Sequence, residues 1–101
     1  MAAVIEKDGT TLNVRLDERL DTTQAPVLEK ELVPHLEGVN QIVMDFSEVD
    51  YISSSGLRLL MYLSREMDDR DGEVQIIHAK EVVMKIFELV GFTGIVHIIE
   101  D

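Results

Sequence analysis

"DYISSSGLRLL", residues 50–60, places three consecutive serines and a glycine between a strand-like apolar run and a helix-like one. Upstream, "QIVMDF" (41–46) is short, mostly apolar and followed by the turn-prone "SEVD", the pattern of a central strand buried on both faces. Downstream, the leucine spacing predicts a helix from Ser54 to Met67. Strand, hydroxyl-rich loop and helix in this order form the repeating unit of an α/β fold. Small hydroxyl residues suit such a junction, because they cap the N–H groups that the first helical turn leaves without partners, and Gly56 lets the helix lie close to the sheet. A helix amino terminus, with its positive dipole end, is also a natural place for a phosphate. Both roles are compatible with the same residues.

The rest of the chain extends the pattern. "VIEKDGTTLNVRL" sets Asp8 and Gly9 between two short strands, and Asp-Gly is a two-residue hairpin turn. Leu12, Val14 and Leu16 alternate with Asn13 and Arg15, as a strand with one covered face requires. "DTTQAPVLEKELVPHLEG" is a helix capped by Asp21, Thr22 or Thr23, with Ala25, Leu28, Leu32 and Leu36 as its buried stripe. Pro26 fits its first turn; Pro34 ends or kinks it, and Gly38 closes the segment. After "DDRDGE", "VQIIH" is a strand, "AKEVVMKIFELVG" a third helix ending at Gly91, and "IVHII" a last strand. The order ββαβαβαβ predicts one α/β domain over residues 1–101, its mixed sheet parallel after the hairpin and covered by helices through right-handed crossovers.

Composition narrows the function. Nine Lys and Arg against 20 Asp and Glu give a net charge of -11, which repels nucleic acid and anionic membranes and leaves proteins as the expected partners. No cysteine is present, which rules out a disulfide framework, a thiolate metal site and a thiol nucleophile. "MAAVIEKDG" lacks the features of a secretion signal, and no apolar run reaches the roughly 18 residues of a membrane span, so the expected location is the cytoplasm without membrane insertion. There is no phosphate-binding P-loop, no G-x-G-x-x-G and no G-x-S-x-G, so neither a bound nucleotide nor a serine nucleophile is indicated. His35, His78 and His97 match no zinc spacing, and twelve-residue calcium registers begun at Asp68 or Asp69 end on Ala79 or Lys80 where a glutamate is needed. No cofactor, metal or catalytic residue is expected.

The 54–67 helix carries the candidate surface. At about 100° per residue, Leu59, Leu60, Leu63 and Met67 fall on a core arc, while Arg58, Tyr62, Arg65 and Glu66 face outward. Ser54 lies at the edge of the polar arc, nearly in line with Arg58 and Arg65 and bordered by Met61. A hydroxyl, two cations and a methionine in one exposed stripe describe a contact surface better than a catalytic site.

As a whole the chain resembles the STAS domain family, and within it the free-standing bacterial anti-sigma factor antagonists. "IVMDFSEVDYISSSGLRLL" is similar to the family's hydrophobic strand, "D-S-S/T-G-L" loop and helix; "RLDERLDTTQAP" to its "G-E-L-D" segment; "AKEVVMKIFELVGF" to its last helix. Ser53 stands where the family has Asp, and Glu18 where it has Gly. The resemblance implies a phosphorylated serine at Ser54 and a partner-binding surface of Asp21, Ser53, Ser55, Gly56, Arg58, Met61 and Arg65. It implies partner switching: the unphosphorylated antagonist binds an anti-sigma factor serine kinase and frees the sigma factor, phosphorylation breaks that complex, and a serine phosphatase resets it. The ATP belongs to the partner. Arg58, one turn on from Ser54, is spaced to pair with the phosphate. A STAS scaffold subunit of a lipid ABC transporter stands as the alternative, and a small serine hydrolase as a third reading.

Overall fold

A computed structural model describes residues 3–99. Five strands lie in one sheet in the order β1 (Ala3–Asp8), β2 (Thr11–Leu16), β3 (Gln41–Asp45), β4 (Glu73–Ile77) and β5 (His97–Ile98). β1 and β2 are antiparallel, and every later pair is parallel. Three helices connect them: α1 (Gln24–Leu32), α2 (Ser54–Asp68) and α3 (Glu81–Leu89). The predicted order and mixed sheet are those observed.

Because strand order follows chain order, every right-handed crossover steps the same way along the sheet, which puts all three helices on one face. That corrects the expectation for β3. Ile42, Met44 and Phe46 are buried beneath the helices, whereas Gln41, Val43 and Asp45 alternate with them on the uncovered side and are only half-buried. The same alternation runs through β2 and β4, where Leu12, Val14, Leu16, Val74 and Ile76 face the core. An aromatic row, Phe46, Phe87 and Phe92, docks α3, with ring centroids 6.2 and 6.0 Å apart.

Punctuation falls close to where local chemistry sets it. α1 stops at Leu32, and a 3-10 turn (Val33–His35) containing Pro34 takes over, since proline supplies no N–H to continue an α-helix. Ala25, Leu28, Leu32 and Leu36 are all buried. The hairpin loop is Gly9-Thr10 and not Asp8-Gly9: Asp8 pairs with Thr11, and Gly9 alone takes a positive φ of 63°. Shifting the loop by one residue leaves Asp8 in the strand, and glycine bears the left-handed conformation that a side chain resists. The last strand is shorter than expected, two residues after a 3-10 turn at Phe92–Gly94, and His78 has left β4 for a left-handed conformation with φ 58°.

Candidate phosphoserine loop and contact surface

The loops that matter emerge at the carboxyl ends of β2 and β3, the end of a parallel sheet where α/β sites collect. Two of them are sewn together. The Leu20 amide donates to the Tyr51 carbonyl at 2.9 Å and the Ser53 amide donates to the Leu20 carbonyl at 2.9 Å, which makes a one-residue parallel bridge between Leu20 and Ile52. Beside it the Arg19 guanidinium lies 5.1 Å from the centre of the Tyr51 ring, a cation-π contact. Both apolar members, Leu20 and Ile52, are buried, so the bridge sits on the core. Its consequence is that Asp21 and the serines, 32 residues apart in the chain, are held on neighbouring backbones.

Asp21 begins α1. Its carboxylate accepts from the Thr23 amide at 3.0 Å and the Gln24 amide at 2.9 Å, and its carbonyl from the Ala25 amide. Of the three predicted caps, Asp21 does the capping, and the Thr23 side chain makes no capping bond. Asp17, Glu18, Arg19, Asp21, Gln24, Glu48 and Asp50 line a shallow hollow around this corner, so the rim next to the serine loop is strongly acidic.

The three serines have three different situations. Ser53 is the N-cap of α2: only 7% exposed, its Oγ accepts from the Gly56 amide at 3.2 Å and its carbonyl from the Leu57 amide at 2.9 Å. Ser55 is half-buried, and its Oγ accepts from an Arg58 Nη at 3.4 Å. Ser54, the first helical residue, is exposed. Gly56 is buried against the bridge, and a Cβ there would lie 2.8 Å from Ile52 Cγ1 and 2.9 Å from both Leu20 Cγ and the Leu20 carbonyl oxygen. Ser53 and Gly56 therefore shape the loop from inside and offer no side chain to a partner. Arg58, expected to face a phosphate on Ser54, rests on Ser55 in this structure.

Along α2, Leu59, Leu60, Leu63 and Met67 are buried as predicted, Arg58, Tyr62 and Arg65 are exposed, and Met61 is half-buried. Arg58 and Tyr62 line a groove against α1, together with Lys30 and Pro26. Met61 and Arg65 line a second groove on the other flank, where the Ser64 hydroxyl donates to the Ile95 carbonyl at 2.7 Å. The predicted stripe thus forms a ridge between two grooves. Tyr51 and Tyr62, 41% and 43% exposed, belong to this surface; the sequence placed Tyr62 on the outward arc without including it among the contact residues, and Tyr51 was not singled out. Their signal was chemical: exposed aromatics are enriched in protein interfaces.

The charged pairs nearby are structural in character. Burial pushes the Asp45 carboxyl up, but hydrogen bonds from Ser47 and the His78 ring outweigh it and hold the group below its usual value. On the open sheet face a hydrogen bond from Gln75 lowers Glu73, with burial opposing and His97 helping. Among the described residues, no three His, Cys, Asp or Glu side chains are grouped to hold a metal, and no helix is long and apolar enough to cross a membrane.

Known proteins are similar to this chain in sequence and in fold. The family model described as the STAS domain matches residues 2–101. The Bordetella bronchiseptica protein BtrV, which bears the name of an anti-sigma factor antagonist, is 30% identical over 96 residues, 94% of this chain and 83% of BtrV. The anti-sigma-B factor antagonist of Staphylococcus epidermidis is 27% identical over 88 residues, 86% of this chain and 82% of that protein. Among solved structures, Bacillus SpoIIAA in its phosphorylated form has a TM-score of 0.74 at 19% identity, over 99% of this chain and 93% of that one. At that identity the likeness is one of fold.

Proposed function

The chain belongs to the STAS domain family, and from that membership we propose that it is a bacterial, cytoplasmic anti-sigma factor antagonist that works by phosphorylation-controlled partner switching. In this reading the unphosphorylated form binds an anti-sigma factor that is itself a serine kinase and frees the sigma factor. Phosphorylation of Ser54 dissolves the complex, and a serine phosphatase restores it. The protein contributes a surface and a phosphate acceptor; the nucleotide and the chemistry belong to its partners. The names carried by BtrV and the staphylococcal relative support the reading.

The observation that carries it is the division of labour among the serines. Ser53 is buried and engaged as a cap, Ser55 is engaged by Arg58, and Ser54 alone is exposed. A phosphate adds roughly -1.5 to -2 charges and three acceptor oxygens, which a helix amino terminus accommodates. On Ser54 it would stand next to the acidic rim of Asp17, Glu18, Asp21, Glu48 and Asp50, and raise the negative charge of the contact surface without entering the core. The switch then acts at the interface. Asp21, Ser55, Arg58, Met61 and Arg65 supply the contact side chains, and Ser53 and Gly56 hold the loop that presents them.

The test compares Ser54→Ala with Ser54→Asp. Both should fold with melting temperatures close to the parent. Ser54→Ala should bind the cognate kinase like the parent and accept no phosphate, and Ser54→Asp should bind at least about tenfold more weakly, on the order of 1.4 kcal/mol. Equal affinities, or phosphate on Ser53 or Ser55 of the alanine variant, would overturn the assignment.

A further inference from the structure

The groove between α1 and α2 opens beside the serine loop. Pro26 and Lys30 form one wall, Arg58 and Tyr62 the other, and Ala25 and Leu59, each 4% exposed, the floor. Each wall pair is spaced i and i+4, so each helix turns one stripe toward the groove. From Ser55 to Tyr62 the groove runs about 10 Å at about 1.5 Å per residue, room for about two turns of a helix. Tyr62 is exposed, and a tyrosine and an arginine over an apolar floor have the composition of an interface hot spot.

The charge of this groove departs from that of the chain. Carboxylates outnumber cations 20 to 9, yet among the described residues neither Lys30 nor Arg58 is in an ion pair. Arg58 rests on the neutral Ser55 hydroxyl at 3.4 Å, a long contact that is easily exchanged. Glu29 is the one carboxylate that lines the groove, so two cations face one anion, the reverse of the acidic hollow around Asp21. The net charge of -11 acts at long range and is screened beyond about 8 Å at physiological ionic strength, so at contact the local cations decide which side chains are accepted.

We propose that the groove takes a short apolar segment of the kinase that carries a carboxylate, with its apolar side chains on Ala25, Leu59 and Tyr62 and the carboxylate between Lys30 and Arg58. This rests on the reading of Ser54 as the phosphate acceptor. Ser54 and Ser55 open the helix whose next turns wall the groove, so a partner that reaches Ser54 already covers its end. The contact surface then extends from α2 onto α1. The hollow around Asp21 and this groove call for opposite charges on the partner, which admits it in one orientation.

Lys30 separates this docking mode from the switch itself, because it lies outside the contact residues of the proposed function. Calorimetric titration of the cognate kinase with the whole chain compares Lys30→Glu, Lys30→Gln, Arg58→Glu and a control, Lys85→Glu, which changes the net charge equally on α3. Melting curves establish that each variant is folded. Lys30→Glu and Arg58→Glu should each bind at least about tenfold more weakly than the parent, Lys30→Gln about threefold, and the control within about twofold. Binding by Lys30→Glu within about twofold of the parent, or an equal loss in Lys85→Glu, overturns the groove assignment, and a weakened Ser54→Asp in the same series leaves the switch standing. Equal binding by Ser54→Ala and Ser54→Asp, with the Lys30 losses present, supports the groove and removes the switch. Self-association of the free chain that Lys30→Glu abolishes, with no effect on kinase binding, would give the groove to a second copy and overturn the proposal.

Discussion

Replacing Gly56 by alanine tests whether the loop geometry is held by close approach of backbone to backbone. The added Cβ would sit 2.8 Å from Ile52 Cγ1 and 2.9 Å from both Leu20 Cγ and the Leu20 carbonyl oxygen. Side chains can turn away, but the Leu20 oxygen is fixed as the acceptor of the Ser53 amide. Relief therefore requires α2 to move off the bridge. Overpacking of this kind costs about 1–3 kcal/mol, and alanine's better helix propensity returns up to about 1 kcal/mol of it. A net loss of about 1–2 kcal/mol follows, and at about 4–8 °C per kcal/mol for a domain of this size the melting temperature should fall by roughly 5–15 °C. Thermal and urea melts measure this; the urea m-value should be unchanged, since the surface exposed on unfolding is the same. Kinase binding should weaken beyond what the lost stability explains, because Asp21 and Ser54 are carried by the two segments pushed apart. A melting temperature equal to or above that of the parent would refute the reasoning, for it would show that the helix start has slack.

Leu60→Ala empties a fully buried position under α2 and should destabilise by roughly 2–5 kcal/mol in denaturant titration. Ser53→Ala removes the cap from Gly56 and should lose about 1 kcal/mol, whereas Ser53→Asp, which keeps an acceptor at that place, should retain most of the stability; paired melting curves decide this. Asp45 and Glu73 are both held below their ordinary values in the folded chain, so their stabilising contribution is complete above the unfolded carboxylate range near pH ~4 and disappears as the pH falls through their lower folded values. Melting temperature followed from pH 7 to about 2.5 should show this loss on the acid side, and Asp45→Asn should make the acid limb shallower.

The structure also separates what was legible in the chain from what was not. Element order, the helix beginning at Ser54, the break at Pro34, the left-handed glycines at 38 and 91, and the buried stripes of α1 and α2 follow from turn chemistry and periodicity. Each of these depends on neighbours a few residues away, which is why the sequence by itself determined them, together with the family and the serine-bearing loop. Other features depend on where distant segments land. Monotonic strand order leaves one sheet face open, so β3 is covered on one side only. Gly72 must be glycine because a Cβ there would lie 1.4 Å from the Asn40 carbonyl oxygen, a contact between segments 32 residues apart. The Leu20–Ile52 bridge likewise brings Asp21 to the serine loop and, with Gly56 packed on it, leaves Ser53 inside. Helix phase already set Ser54 on the outward arc, and Arg58 pairs with Ser55 from within the same helix; the burial of Ser53 against the bridge is what only the tertiary backbone decided.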